Sequence, residues 1–530
     1  MLQPRIIKTS EVSKTSEVYI GCDIGSQGVK AILLSADGQI CAEAKASYDI
    51  GYPRPTWAEQ PAQVWLDGLV QAIGAVRAAA QVAPQQIRAI GLAAQVDGLV
   101  PLDRAGRPLR PAIIWMDRRA VRECAELAGV QPSPCPISGL NLDPSHVAPK
   151  IRWLAYNEPQ VYDAAAHFLL PGSYVAYHLT GVLGVDCSNA SSTLLLDLRK
   201  RAWSDELCAR FGIEPDRLAP IRPASEVLGR LRPAVARELG LSEQTVVVVG
   251  CGDEHAACLG AGVIEPGLVG DIVGTAEPVC AASRDLLFDP SGLVETHCHA
   301  DPALWLLENP GFVSGANYRW FCEQFAPLET KAASEQGTSP YALLDAAVAT
   351  VPAGSEGLIL LPCLMGAMAP TWNPAARGAF LGFTLAHTRN HFARAVLEAS
   401  AYAVRDILDQ MRRVGLALRE VRVMGGGARS RLWRQIKADV TGLPVALPQS
   451  VEATALGAAM LALVGSGDYA TLTQAAERIV RIVETVQPQS EAVSRYEEYY
   501  QLYRAAYFAL LPVFERAASK PDRFPKTCQV

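Results

Sequence analysis

Residues 18–45 read VYIGCDIGSQGVKAILLSADGQICAEAK, and this stretch determines the fold. Its first apolar run, residues 18–22, predicts a short strand that leads into Asp23 and a glycine-bearing turn. A second apolar run, an Asp-Gly turn at 37–38 and a third run follow. Extended runs joined by tight Gly and Asp-Gly turns predict a β-meander at the start of a domain.

Helices and strands alternate after this meander. Trp65 and Leu69 have helical spacing within residues 59–80, and residues 87–93 predict another strand, so an α/β fold is expected. Residues 269–281 look like a second meander, as a duplication would produce. At 530 residues two domains are expected. We therefore divide the chain into a loose lead-in, an N-terminal domain, a C-terminal domain and a tail: 1–17, 18–262, 263–505 and 506–530.

Composition excludes several classes of protein. About half of the residues are apolar, 19% are charged, and the net charge is −6, with no Lys/Arg-rich block to attract nucleic acid. No apolar run approaches the ~20 residues that span a bilayer. The 13 cysteines are dispersed, and the polar first residues lack a signal-peptide core. We expect a cytoplasmic protein with reduced thiols and with neither nucleic-acid nor membrane partners.

Three common catalytic motifs are excluded. The chain has no P-loop and no G-x-S-x-G elbow. A dinucleotide fingerprint fails at His255, where the third glycine would stand. Residues 296–299 (Thr-His-Cys-His) do not predict a metal site, because the two His side chains of a strand point away from the intervening Cys.

Four glycine-bearing turns can carry phosphate chemistry. In the first, Asp23 precedes a hairpin whose backbone N–H groups suit phosphate while the carboxylate suits Mg²⁺. Asp253 follows a buried strand, where it can act as a base or simply cap a helix. Gly274 begins another turn, and the glycines at 425–427 offer bare backbone to a nucleotide. Each of these turns can equally be purely structural.

The ordered set of motifs is more specific than any one of them. It comprises residues 21–26 with Lys30, 57–60, 250–253, 274–275 and 425–435, and it closes with 455–459. From about residue 19 to 465 this order resembles the FGGY family of carbohydrate kinases, with spacing most similar to its xylulokinases. The resemblance implies two ribonuclease H-like domains of the actin/hexokinase ATPase type around an interdomain cleft, with ATP and Mg²⁺ bound between them.

The resemblance also implies a role for each motif residue. Asp253 would be the general base and Asp23 the Mg²⁺ residue. The phosphates would meet Gly25, Ser26, Gln27, Lys30, Gly274 and Thr275. The adenosine would meet Gly425, Gly426, Gly427, Ala428, Ser430 and Trp433. The sugar would meet Gln95, Asp97, Trp115, Ser145, Asp253 and Glu254.

The sugar side departs from the family pattern. Xylulokinases usually carry Gln-Met-His-Gly where this chain has Asp97 in the third position, and Asn where it has Glu254. Ala276 replaces the Ser of a Gly-Thr-Ser turn, and residues 366–368 replace a Gly-Glu-Arg segment. Carboxylates accept hydrogen bonds from hydroxyls and repel anions, so a neutral acceptor is expected.

D-xylulose is the first expectation for the acceptor. D-ribulose, another ketopentose, and erythritol- or glycerol-type acceptors stay open. Asp97 and Glu254 could instead pair with nearby basic residues and leave the substrate unchanged. A non-catalytic, nucleotide-binding sugar sensor is the alternative outside the kinases, although such a protein has no need of a base at Asp253. A homodimer is compatible with the resemblance, but no sequence feature supports it.

Overall fold

A computed structural model describes residues 5–8, 16–128 and 133–518. The strands of the N-terminal half are β1 (Arg5–Lys8), β2 (Val18–Gly25), β3 (Gly28–Ser35), β4 (Ile40–Ser47), β5 (Glu59–Gln60), β6 (Ile87–Ala94), β7 (Val100–Leu102), β8 (Ala112–Ile113), β9 (His167–Leu169), β10 (Val185–Asp186), β11 (Leu196–Asp197), β12 (Ala202–Trp203), β13 (Ile221–Arg222), β14 (Val227–Arg230), β15 (Val246–Val248) and β16 (Cys251–Gly252). Those of the C-terminal half are β17 (Leu268–Ile272), β18 (Ala276–Ser283), β19 (Glu295–Cys298), β20 (Trp305–Val313), β21 (Ile359–Leu361), β22 (Ala379–Leu381), β23 (Glu420–Met424), β24 (Val445–Pro448) and β25 (Ile482–Val486).

Helices alternate with these strands. They are α1 (Gln63–Ala80), α2 (Val121–Ala128), α3 (Cys135–Ser138), α4 (Val147–Asn157), α5 (Pro159–Ala164), α6 (Pro171–Thr180), α7 (Cys187–Ser191), α8 (Asp205–Phe211), α9 (Pro233–Leu239), α10 (Asp253–Gly260), α11 (Gly315–Phe325), α12 (Pro327–Gln336), α13 (Pro340–Val348), α14 (Arg389–Arg413), α15 (Arg431–Thr441), α16 (Ala453–Gly465), α17 (Leu472–Ile479) and α18 (Ser490–Ala518). None of the helices in the described residues is long and apolar enough to cross a bilayer.

The two large sheets share a pattern of five strands, β4-β3-β2-β6-β15 in one and β20-β18-β17-β23-β24 in the other, and differ in the chain order of their edge strands. In the N-terminal sheet the order is β1-β4-β3-β2-β6-β15-β14, with β2, β3 and β4 antiparallel and β2, β6 and β15 parallel. In the C-terminal sheet the order is β19-β20-β18-β17-β23-β24-β25, again with an antiparallel meander beside parallel strands. The predicted α/β fold and both meanders are therefore confirmed.

Each face of the N-terminal sheet is covered by helices. Successive residues of a strand point to opposite faces. Ile20 accordingly joins a core that includes α1, while its neighbour Tyr19 joins a second core with residues of α16 such as Leu463. Helix α16 comes from the C-terminal half of the sequence, so the two halves share a core and do not separate at one point of the chain.

Glycines allow this helix to lie close to the N-terminal sheet. A Cβ at Gly91 in β6 would stand 1.8 Å from the carbonyl oxygen of Ala458, and one at Gly457 would stand 1.9 Å from that of Ala256 in α10. Such distances leave no room for any side chain at either position. The small residues of α16 therefore allow it to pack closely against both α10 and the N-terminal sheet.

The predicted boundaries need three corrections. Part of the lead-in is β1, which pairs with β4, because the outer edge of a meander offers unpaired backbone groups. The helix expected over 59–80 begins at Gln63, since Glu59–Gln60 pairs with β8. The predicted tail boundary at 505 falls inside α18, where Tyr507 and Phe514 are buried. The end of the predicted tail, residues 519–530, lies outside the described residues.

Candidate active site

The predicted first phosphate turn, residues 25–28, is held by hydrogen bonds from a network of side chains. Ser26 lies in the turn between β2 and β3, where its Oγ accepts a hydrogen bond from the indole N–H of Trp115 at 2.7 Å. The same hydroxyl is 3.4 Å from Oε1 of Gln95. Three residues that the sequence assigned separately to phosphate and sugar therefore lie side by side. Gln27, also predicted to line the phosphates, is exposed in this turn.

Gln60 forms hydrogen bonds with several members of this network. It is fully buried, and its Nε2 donates to the backbone oxygen of Ser26 at 2.7 Å. Its Oε1 accepts from Gln95 and from Trp65, both at 3.1 Å. The motif over residues 57–60 was recognised in the sequence, but no role was given to Gln60. We assign it the support of the first phosphate turn.

Asp23 and Lys30 lie opposite each other on β2 and β3. Burial raises the pKa of Asp23 to about 6 despite the nearby Lys30 ammonium. Lys30 itself forms an ion pair with Glu452, which immediately precedes α16. Burial alone would lower the pKa of Lys30, but the carboxylates of Glu452 and Asp23 outweigh this effect and raise it. The ion pair between Lys30 and Glu452 thus joins β3, next to the first phosphate turn, to the C-terminal half.

Asp253 is the first residue of α10, directly after β16. Burial raises its pKa well above the ordinary value, and the carboxylates of Glu254 and Asp23 raise it further. The N–H of Glu254 contacts its Oδ1 at 3.2 Å. The carboxyl groups of Asp253, Glu254 and Asp23 are therefore close together at the start of α10.

The residues around Asp23 fit a divalent cation. Among the described residues no side chain forms a hydrogen bond or ion pair with the Asp23 carboxylate, although Lys30 lies opposite it, and Asp23 is close enough to raise the pKa of Asp253. Two neighbouring carboxylates without a shared cation of their own suit Mg²⁺, which prefers oxygen ligands and keeps several waters. When bound, the ion would neutralise phosphate charge during transfer.

The second phosphate turn packs against the glycine loop. Gly427 donates its N–H to the backbone oxygen of Val273 at 3.1 Å, directly before Gly274 and Thr275. A Cβ at Gly427 would stand 2.3 Å from a methyl group of Val273, whereas Gly426 has nothing within 4 Å of such a Cβ. The structure thus brings the predicted phosphate and adenosine residues of the C-terminal half together, with open space at the middle glycine.

Two predicted adenosine residues serve α15 instead. Ser430 caps this helix, because its Oγ accepts from the N–H of Trp433 at 3.1 Å. Trp433 is buried, packs edge-on to Tyr318, and donates its indole N–H to Ser400 at 2.7 Å. Ala428 is buried as well. The side chains of these residues belong to the core beneath the loop, which leaves backbone groups to border a nucleotide.

A buried ion triad lies beneath the second phosphate turn. Lys437 of α15 forms ion pairs with Asp271 and with Glu277, whose Oε1 is 2.8 Å from its Nζ. All three residues are almost fully buried. Burial raises the pKa of Glu277 to about 8, although Lys437 opposes the shift. Since Asp271 and Glu277 flank residues 274–275, this triad fixes the two strands that carry the turn.

The sugar side is built around Asp97. Its backbone has φ = 57°, a left-handed conformation that is uncommon outside glycine. Lys150 donates to the backbone oxygen of Asp97 at 2.6 Å and to that of Ile114 at 2.9 Å. The Asp97 carboxylate contacts Nδ1 of His146 at 3.2 Å through Oδ2. Its other oxygen, Oδ1, is buried without a hydrogen-bond partner among the described residues.

Glu254 faces a second carboxyl group. It interacts with Glu308 of β20, and burial raises the pKa of both, that of Glu308 to about 8. A carboxyl group that keeps its proton can both donate and accept hydrogen bonds. Ser145, expected in the sugar pocket, donates instead to Asp143 at 2.6 Å. Its hydroxyl stabilises a turn that precedes α4.

Sequence reasoning missed several of these residues. His146, Glu295 and Glu308 belong to no short motif, and their partners lie far away in the chain. His297 was considered only as a metal ligand, yet its Nδ1 lies 3.3 Å from Ser191 Oγ and its Nε2 lies 3.8 Å from Glu295. An uncompensated buried acid at Asp97 was the one available signal, since a buried carboxylate needs a partner.

Two domains with this shared topology, with glycine turns and acidic residues where the sheets end, define a phosphotransferase of the actin and hexokinase fold class. The N-terminal and C-terminal domains of the FGGY family of carbohydrate kinases match residues 18–260 and 272–466. The chain belongs to this family. It is a sugar kinase that uses ATP as a substrate and acts on a small-molecule sugar.

Individual relatives agree with this assignment. Xylulose kinase from Escherichia coli is 32% identical over 94% of this chain and 100% of its own length. The crystal structure of xylulose kinase from Rhodospirillum rubrum superposes with a TM-score of 0.85 at 31% identity, covering 94% of this chain and 100% of that one. Gluconokinase from Bacillus subtilis is 28% identical over 84% of this chain and 87% of its own length.

Proposed function

We propose that this sugar kinase transfers the γ-phosphoryl group of Mg-ATP to a neutral ketopentose, with D-xylulose as the first candidate. The position of Asp253 carries the proposal. It stands at the start of α10, and the carboxyls of Asp23 and Glu254 are near enough to raise its pKa. A base placed between a metal-binding carboxylate and a polar pocket suits transfer to a hydroxyl group.

The proposed mechanism assigns a task to each group of residues. The turns at Ser26 and Thr275 would hold the phosphates from the two domains, and Lys30 would add a positive charge. Asp23 would hold Mg²⁺ through its carboxylate. Asp253 would accept the proton of the attacking hydroxyl, which we take to be the terminal one of the sugar. Positioning and charge neutralisation supply most of the catalysis in reactions of this type.

The acidic pocket supports a neutral acceptor. Asp97, Glu254 and Glu308 lie in the region next to Asp253. Glu295 lies 3.7 Å from Nε2 of His146. An acceptor carboxylate would be repelled, whereas sugar hydroxyls can donate to these oxygens. D-ribulose, other ketopentoses and erythritol- or glycerol-type polyols share this property, so they remain the alternatives to D-xylulose.

The neutral preference can be measured directly. We expect kcat/KM for D-xylulose to exceed that for D-gluconate by at least about 100-fold, since like-charge juxtaposition costs several kcal/mol. ADP release with each acceptor at saturating Mg-ATP checks this ratio. Asp97→Asn is the matched test variant, because it keeps the shape of the side chain, removes the carboxylate charge and should narrow the ratio. A preference for gluconate would contradict the proposal.

A further inference from the structure

A line of buried polar side chains runs from the pocket into the C-terminal half. Oδ2 of Asp97 is 3.2 Å from Nδ1 of His146, and Nε2 of His146 is 3.7 Å from Oε1 of Glu295 in β19. Oε2 of Glu295 is in turn 3.8 Å from His297. The four residues come from three distant parts of the sequence and are at most 9% exposed.

Charge makes His146 the centre of this line. Burial alone would lower the pKa of His146, but Asp97 and Glu295 outweigh it and raise the pKa well above the ordinary value. Burial opposes ionisation of Glu295, yet the imidazoles of His146 and His297, at 3.7 and 3.8 Å, lower its pKa to about 2. At this separation Nε2 of His146 has no hydrogen-bond partner among the described residues. His146 thus lies between two carboxylates, one in each half of the protein, and both favour its protonated form.

Asp97 is restrained on its other side as well. The Lys150 ammonium donates a hydrogen bond to the backbone oxygen of Asp97. The left-handed backbone conformation of Asp97 also gives its side chain a different direction from that of a residue in an extended strand. With the backbone held and Oδ2 engaged by His146, the carboxylate has little freedom left. Its Oδ1 is the buried acceptor that no described residue satisfies. An unsatisfied buried acceptor is costly, and a ligand donor would relieve the cost.

We propose that His146 is a positioning residue for the sugar: it fixes Oδ2 of Asp97 so that Oδ1 can accept a hydrogen bond from an acceptor hydroxyl. Its second contact, with Glu295 on β19, anchors that arrangement to the C-terminal half. The inference rests on the proposed function, because it requires Asp97 to face the acceptor. His146 itself need not touch the sugar.

The same geometry changes what a substitution toward the family pattern would do. Histidine at position 97 would place a second imidazole against His146 and remove the carboxylate that pairs with it. Asp97→His on its own should therefore not create a xylulokinase-like pocket. The identity of residue 97 depends on residue 146, although 49 positions separate them in the chain.

Steady-state kinetics with D-xylulose and Mg-ATP test this role in four variants: His146→Phe, His146→Gln, Asp97→Asn and the double variant His146→Phe/Asp97→Asn. We expect His146→Phe to raise KM for D-xylulose at least tenfold, with kcat within threefold and KM for ATP within twofold of the parent. His146→Gln, which keeps an N–H donor for Asp97, should recover most of the loss. The KM of the double variant for D-xylulose should lie within twofold of the higher of the two single-variant values.

Three results would overturn the proposal. One is an unchanged KM for D-xylulose in His146→Phe. Another is an equal loss toward D-xylulose and ATP, which indicates a general structural defect. The last is full additivity in the double variant, since coupled residues should not act independently. If His146→Phe does not fold, the decision rests on His146→Gln and Asp97→Asn, whose KM values should both rise selectively for the sugar.

The failure of the proposed substrate can be told apart from the failure of this role. If the parent enzyme phosphorylates D-ribulose, erythritol or glycerol but not D-xylulose, the substrate assignment is wrong, and the same four variants are measured with the accepted compound. If the parent neither phosphorylates nor binds any of these compounds by calorimetry, both the substrate proposal and the role of His146 are contradicted.

Discussion

Replacing Asp253 by alanine is expected to lower sugar-dependent ADP release by at least about 1000-fold, the upper part of the range for a lost general base. The carboxylate is proposed to take the proton of the attacking hydroxyl, so its removal leaves that hydroxyl without its base. ATP should bind to the variant about as well as to the parent, because the glycine turns are untouched. Stability should not fall, since the change also removes repulsion with Asp23 and Glu254.

ADP release with saturating sugar, together with calorimetric binding of ATP, measures both halves of this expectation. Asp205→Ala is the matched control, because Asp205 is likewise the first residue of a helix, α8, but is exposed and remote from the motifs. It should leave turnover unchanged. If Asp253→Ala retains turnover within tenfold of the parent, Asp253 is not the base.

The second large effect concerns stability. Lys437→Met should lower the free energy of unfolding by about 3–5 kcal/mol, the usual cost of breaking a buried ion pair by removing one partner. The substitution leaves Asp271 and Glu277 facing each other in the core with no cation between them. The loss should change little between pH 7.5 and pH 5.5, because the pKa of Glu277 is raised to about 8 even beside Lys437, and removing that ammonium raises it further, so this carboxyl stays largely protonated across the interval.

Urea denaturation of parent and variant at pH 7.5 and at pH 5.5 measures this loss. Lys331→Met provides the control, since Lys331 also pairs with an acid on its helix, Glu335, but both side chains are largely exposed. Exposed pairs contribute about 0–1 kcal/mol, so the control should barely move. An equal and small effect for both lysines would show that the triad does not stabilise the fold.

Much of the architecture was predictable because its signals are local. Apolar runs separated by glycine turns predicted both meanders, and the parallel strands that complete each sheet followed from the α/β alternation. Boundaries were less predictable. The tail was expected to begin at 506, but the buried Tyr507 and Phe514 continue α18. Their apolar spacing has meaning only once the surface that they cover is known.

The candidate site also contains some residues that the sequence indicates and others that it does not. Glycine turns bearing Asp23, Asp253 and Thr275 have local signatures, and the fold brings them to the ends of the two sheets. Ion pairs have no local signature in the sequence. Nothing near Asp97 in the sequence points to His146, and nothing near Glu254 points to Glu308, because a buried charge finds its partner through the tertiary fold. Trp433 lies inside the predicted nucleotide motif, and its side chain is buried in the core, which the local motif does not indicate.

ADP release from Mg-ATP in the presence and absence of D-xylulose tests the central claim most directly. The account predicts release that depends on the sugar, at least about 100-fold above the rate with water alone, since domain closure around an acceptor excludes water as a competitor. D-ribulose, erythritol and glycerol in parallel reactions identify the acceptor if D-xylulose is inactive. Tight binding of ATP with no acceptor-dependent release from any of these compounds would contradict the account.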